Sequence, residues 1–426
     1  MNGAAPLPRR RPVGFTALST SSSLGSTLPG FATALREGRS GIAKAGAEYP
    51  PEAQLSAAAL LHSFSVDSWA KTRDAKSRLA VVRVLARATL SVQTAGCVAL
   101  DALASANLDD SQAAATALIV AGNNLAMDYQ MQSAWHFKEA PDYLRPSYVQ
   151  QYLDTDAIGA ISELGGLRAE GWTVGGASAS AALAIIQATR LCASGHVDRC
   201  LVVAPVNALS AMELRALGDS GAMARGDGAP PHTLNRPFDE ARSGFVYGQG
   251  AGAVLVEAVE SARARSAAVL AEIAGYGQCL DGRRTTDPDA AGQVAAMRAA
   301  LAMAAIGPDE IDYVNAHGTG SRIGDEVECK SIRTVFGASS KRLRINSTKP
   351  FVGHCLSAAA MLELIATVLQ MQGGFCHGNP NLDHPIASDL PFAPKAAIEW
   401  PIHYALKNSF AFGGINSSLI LKRSGE

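Results

Sequence analysis

The stretch Phe245-Val-Tyr-Gly-Gln-Gly-Ala-Gly-Ala-Val-Leu-Val256 has an ungapped counterpart in Phe410-Ala-Phe-Gly-Gly-Ile-Asn-Ser-Ser-Leu-Ile-Leu421. Both read aromatic, small, aromatic, glycine, a turn, then an aliphatic strand. A glycine-turn hairpin that recurs at such a distance predicts two similar halves. The charged, alanine-rich segment around Ser261 to Ser266 fits the division, giving halves of residues 1–260 and 261–426. Gly248 to Gly252 resembles part of a dinucleotide fingerprint. It precedes an aliphatic strand rather than a helix, so a hairpin turn is the better account.

Outward from this repeat, apolar runs alternate with helical patterns. Pro12 to Leu18, Thr116 to Gly122, Arg199 to Val206, Val269 to Tyr276, Ile311 to Ala316 and Leu343 to Ser347 read as strands. Ala32 to Gly38, Arg78 to Leu108 and Ser357 to Met371 read as helices, the second long and alanine-rich. The alternation implies α/β layering. Met127 to Glu163 mixes polar and aromatic residues and reads as an excursion forming an interface or a pocket wall. In GWTVGGASASAALAIIQATRLCASG (171–195), a short apolar run meets paired glycines and then a helical pattern. Strand, glycine turn and helix place Ser178 at a helix N-terminus, where backbone N–H groups point at whatever sits there. That place suits a nucleophile or a donor to a carbonyl, and equally a well-capped buried helix.

Composition narrows the class. Hydrophobic content of 48% and charged content of 18% describe a compact chain with ample core, and a net charge of −1 argues against a nucleic-acid partner held by bulk charge. No apolar run reads as long enough to cross a bilayer, so no membrane role is expected. The seven cysteines are scattered, with no CxxC pair. Neither a disulfide framework nor a metal site is indicated, and they read as reduced core thiols in cytoplasm. Arg9-Arg10-Arg11 begins a segment too polar for a signal peptide, and reads as an exposed tail leading into the first strand.

His317 and His354 each follow a strand, beside glycine, in loops that can expose the ring. Two neutral imidazoles converging on one point can donate N–H groups to an oxygen gaining negative charge. The alternative is two unrelated, hydrogen-bonded histidines. Strand ends in α/β layers are where sites are built. The other histidines lack such settings and read as solvated or structural. Lys349 and Glu328 could form a buried pair fixing the histidine loop, or an exposed surface pair.

HGTG followed by GDEVE, with NSTKPFVGH, NSFAFGGIN, RPFDEARSGFVYGQGAG and the early LREGRSGI, resembles the β-ketoacyl-carrier-protein synthases over nearly the whole chain. The resemblance implies a thiolase-like α/β fold, with duplicated halves in five α-β-α-β-α layers and a homodimer. It implies that His317 and His354 act on a malonyl unit, with Lys349 and Glu328 as the supporting pair. It also implies that Thr319 and Ser321 touch the phosphopantetheine arm, and that Phe412 gates the nucleophile and its oxyanion hole. No cofactor is implied beyond that arm of an acyl carrier protein. The chain departs from the family at the nucleophile, where Ser178 replaces Cys, and at Gln249, where an acidic residue is usual. A thiol is partly ionised near neutrality, whereas a hydroxyl needs an activating base. Acyl transfer is therefore the damaged half-reaction and decarboxylation the intact one. YLDTDAIGAISELGGLRAEGWTVGGASAS resembles the Ser-for-Cys malonyl-carrier-protein decarboxylases of polyketide β-branching cassettes. Two other readings stand beside this one: a synthase or acyltransferase using Ser178 as nucleophile, and a non-catalytic partner subunit like a chain-length factor.

Overall fold

The computed structural model describes residues 10–62, 64–226, 228–284, 286–337 and 342–425; Arg9 of the arginine triplet lies outside them. Ten strands form the main sheet. They are β1 (Val13–Ser22), β2 (Ala117–Ala121), β3 (Gly171–Val174), β4 (Arg199–Ala204) and β5 (Gly250–Ala258), then β6 (Ala271–Leu280), β7 (Tyr313–Asn315), β8 (Arg344–Asn346), β9 (Tyr404–Ala411) and β10 (Ile415–Arg423). Their spatial order is β8-β7-β9-β10-β6-β1-β5-β4-β2-β3. Counted outward from the middle, each set of five runs first, fifth, fourth, second, third, so the second set repeats the topology of the first. The two sets pair at Gly14↔Glu272 and Phe15↔Ala271.

Alternation along the strands explains the layering. Ala117, Ile119 and Ala121 of β2 face one apolar cluster, while Leu118 and Val120 face another. A strand buried on both faces must be a continuous apolar run, as these are. The shared inner cluster holds the helices α3 (Ser180–Ser194) and α6 (Ala359–Gly373), packed against strands of both sets. Helices α1 (Leu90–Ala106) and α2 (Asp156–Gly165) cover the outer face of the first set, and α4 (Ala290–Ala304) and α5 (Arg322–Phe336) cover that of the second. The five expected layers are all present.

Three expectations need correction. The repeated stretch is a true hairpin only in the second half, where residues 412–414 turn β9 into β10. In the first half β4 and β5 are also antiparallel neighbours, but residues 205–249 intervene. Phe245, Tyr247 and Gly248 there make isolated bridges to Met223, His354 and Ala59. The insertion carries the helix Ala211–Asp219, which walls the cavity described below. The helix read across Arg78 to Leu108 is two, Ala75–Leu85 and α1, because Thr89 caps the second by accepting from the Val92 N–H. Leu356–Gly373 is long and apolar enough to cross a membrane by composition, but 78% of it is buried inside the protein as the central helix α6 and its leading turn. Ser178 lies where it was read, at the N-terminal end of α3, in a single 3₁₀ turn, Ala177–Ala179, that leads directly into the helix.

Candidate active site

The His317 loop is held by carboxylates from the helix that follows it. Glu328, on α5, accepts the N–H groups of His317 (2.9 Å) and Gly318 (2.8 Å) and the side-chain amide of Asn408 (3.1 Å). Asp325, one turn earlier on the same face, accepts from Gly320 (3.1 Å) and Phe238 (2.7 Å). The spacing of HGTG and GDEVE therefore folds a helix back to clamp its own entry loop. Burial raises the pKa of Glu328, and it pushes Asp325 up to about 7.

Lys349 does not pair with Glu328, whose oxygens are taken up by these donors. Its ammonium donates to the His317 carbonyl and sits 2.5 Å from Glu363 on α6. Lys407, on β9, approaches the other Glu363 oxygen at 2.7 Å. All three side chains are at most 2% exposed. This triad was missed in the sequence. Its signal was a lone acid in the apolar run AAAMLELIATV, a residue type almost never buried unpaired.

His354 follows Gly353, whose φ of +68° no side chain adopts easily. Its backbone is fixed on both sides: the His354 N–H donates to Val246 (2.7 Å), and its carbonyl accepts from Gly248 (3.0 Å). The ring is oriented by the Leu356 N–H, which donates to Nδ1 at 3.2 Å. With Nδ1 accepting, the proton of the neutral ring is on Nε2. Nε2 lies 2.9 Å from Ser178 Oγ, so the imidazole donates to the serine. The His317 ring is edge-on to His354, with centroids 5.7 Å apart. Burial, followed by the positive charges of Lys349 and Lys407, holds both imidazoles well below the usual histidine range. Both rings are neutral at physiological pH.

Ser178, His317 and His354 line one cavity of about 1020 Å³, together with Thr319, Ser321, Glu328 and Phe412. Of the site residues that the resemblance implies, Lys349 is the one that does not line it. The Thr319 hydroxyl donates to Ser321 Oγ at 3.0 Å, and Phe412 is 47% exposed in the β9–β10 turn. Ala177 and Leu356, each just before a serine in matching 3₁₀ turns, carry left-handed backbones (φ 45° and 51°). Ser357 thus occupies in the second half the place that Ser178 occupies in the first. Sequence reasoning passed over it, along with Asn207, which donates to it at 2.9 Å. His377 is structural: it is fully buried and bonded through its ring to Asn346, Thr348 and Gly378. Gln249 joins the Leu61 N–H to the Tyr49 hydroxyl, away from the histidines. All seven cysteines are free, and six of them are buried.

Residues 10–262 match the sequence profile of the N-terminal domain of β-ketoacyl synthases, and residues 270–383 match that of the C-terminal domain. The chain belongs to the β-ketoacyl synthase family. Among its relatives, the polyketide biosynthesis malonyl-ACP decarboxylase of Bacillus subtilis (strain 168) is 36% identical over 80% of this chain and 81% of its own. The 3-oxoacyl-[acyl-carrier-protein] synthase 2 of Vibrio harveyi is 30% identical over 98% and 100%. A crystal structure of a β-ketoacyl synthase from Burkholderia phymatum STM815 superposes with a TM-score of 0.84 at 29% identity, covering 97% of this chain and 100% of that one. The thiolase-like fold of the family is the fold described above.

Proposed function

We propose that this ketosynthase-like enzyme decarboxylates malonyl-[acyl-carrier protein] to acetyl-[acyl-carrier protein] in a polyketide pathway, as a supplier of acetyl units for β-branching. The observation that carries the reading is the donor set at Ser178. The residue in the nucleophile's place is a hydroxyl, and the adjoining imidazole donates to it rather than accepting from it. His354 is then no base for this serine, so acyl transfer is disfavoured. A malonyl thioester needs none. Its C2–C3 bond breaks, carbon dioxide leaves, and the electron pair moves into an enolate whose oxygen takes the N–H groups of His317 and His354. A proton from solvent at C2 then gives acetyl.

The carrier protein is the expected partner. Its phosphopantetheine arm would run past Thr319 and Ser321, with Phe412 at the turn beside it and with Arg225 and Arg322 among the lining residues to meet its phosphate. A homodimer is also proposed. β3 is one edge of the sheet, and Trp135, Phe137, Tyr143 and Val149 are exposed apolar residues of the excursion between β2 and β3. The readings as a serine acyltransferase and as an inert partner subunit have less support: His354 is turned the wrong way for the first, and the second leaves the clamped histidines without use.

The test is mass spectrometry of malonyl-loaded carrier protein after mixing with the enzyme. Conversion of carrier-bound malonyl to acetyl, with the enzyme mass unchanged, supports the reading. A lasting acyl mass on Ser178 overturns it in favour of the acyltransferase.

A further inference from the structure

The decarboxylase reading leaves a polar group beside Ser178 in the cavity without employment. Asn207 is 9% exposed and lines the same cavity as Ser178 and His354. Its backbone is anchored, since the buried Tyr247 hydroxyl donates to the Asn207 carbonyl at 2.7 Å. Its side-chain amide donates to Ser357 Oγ, and its amide oxygen is buried with no hydrogen-bond partner among the described residues. Ser357 itself is 2% exposed and wedged against Gly122, where a Cβ would come within 3.2 Å of the Ser357 Cβ. The 3₁₀ turns that carry Ser178 and Ser357 pack against each other. The amide is thus fixed at one end of its reach and unsatisfied at the other. A buried half-paired amide costs stability unless a ligand completes it.

We infer that Asn207, oriented by Ser357, is a specificity-determining residue that hydrogen-bonds the malonyl carboxylate. This rests on the decarboxylase reading. The two ends of an amide are interchangeable in shape. Turned about its Cβ–Cγ bond, Asn207 takes the Ser357 O–H on its oxygen and frees its N–H₂ for a carboxylate oxygen. The arrangement suits the chemistry. A neutral donor recognises the carboxylate without the ion pair that would stabilise the ground state against loss of carbon dioxide. It also separates substrate from product, since acetyl has no group for Asn207 to hold.

The test is Asn207→Asp, an isosteric change that removes the donor and adds repulsion. The KM for malonyl-loaded carrier protein should rise about tenfold or more, the factor for one lost hydrogen bond to a charged group. The inhibition constant of acetyl-loaded carrier protein should stay as in the wild type. Ser357→Ala, which removes only the orienting hydroxyl, should move the malonyl KM the same way by less. Equal shifts in both constants, or none in either, would overturn the inference. Should the wild type turn over no malonyl-loaded carrier protein, the decarboxylase reading fails on its own. The malonyl-over-acetyl binding preference, and its loss in Asn207→Asp, then remain measurable by calorimetry.

Discussion

Replacing Ser178 by Ala should cost far less than replacing either histidine. In the structure His354 Nε2–H is donated to Ser178 Oγ, and the same proton is the one an enolate oxygen would take. Removing the serine hydroxyl therefore deletes one neutral hydrogen bond, a net effect of about 0.5–1.5 kcal/mol, or at most about tenfold in rate. The Nε2–H stays in place, because Nδ1 still accepts from Leu356. Removing an imidazole deletes a donor to the developing charge, which typically costs about 10²–10³ in kcat, or about 2.7–4 kcal/mol. The assay is single-turnover conversion of malonyl- to acetyl-carrier protein, read by mass on Ser178→Ala, His317→Ala and His354→Ala, with folding checked by circular dichroism. Collapse of all three by the same factor would refute the donor account. It would show that Ser178 is an obligate reactant.

Other outcomes follow from the same geometry. Ser178→Cys should become covalently acylated by acyl-loaded carrier protein and alkylated by iodoacetamide, because the His354 N–H donated at this position favours a thiolate; a variant inert to both would count against the geometry. Glu363→Ala leaves two buried lysines unpaired and should destabilise the protein by about 3–5 kcal/mol in urea unfolding. A loss below about 1 kcal/mol would mean that water reaches the ammonium groups. The rate should show no acid limb near the ordinary histidine value of about 6.5, because burial and the two lysines depress both imidazoles, so that they stay neutral as pH falls through that value. An inflection there in the kcat profile would place a solvated histidine in the chemistry.

Much of the architecture was legible because strands buried on both faces must be apolar throughout, and the chain contains such runs at regular intervals. The second-half hairpin was equally plain, since glycines at 413 and 414 supply the positive φ that a tight turn needs. What misled was the aromatic part of the first-half match. Phe245 and Tyr247 look like Phe410 and Phe412, yet tertiary bridges to Met223 and His354 override that pattern. Ser178, His317 and His354 were found as separate motifs, and the fold brings them into one cavity. The choice of partners around them was harder. Nothing in spacing distinguishes Glu328 from Glu363 as the partner of Lys349, because that depends on how a central helix packs beneath a loop. Asn207 and Ser357 carry no motif, and their pairing exists only once the two halves meet.

The serine of the site comes from the first half of the chain and both histidines from the second, and the central helices α3 and α6 lie directly behind them. Neither half holds a working set of groups. The reactive geometry is therefore a property of the seam, built only when the two five-strand sets of the sheet close on their shared pair of helices. Any loosening of that closure, even one that leaves every strand intact, would part donor from acceptor at the 2.9 Å contact between Ser178 and His354 before it unfolded anything.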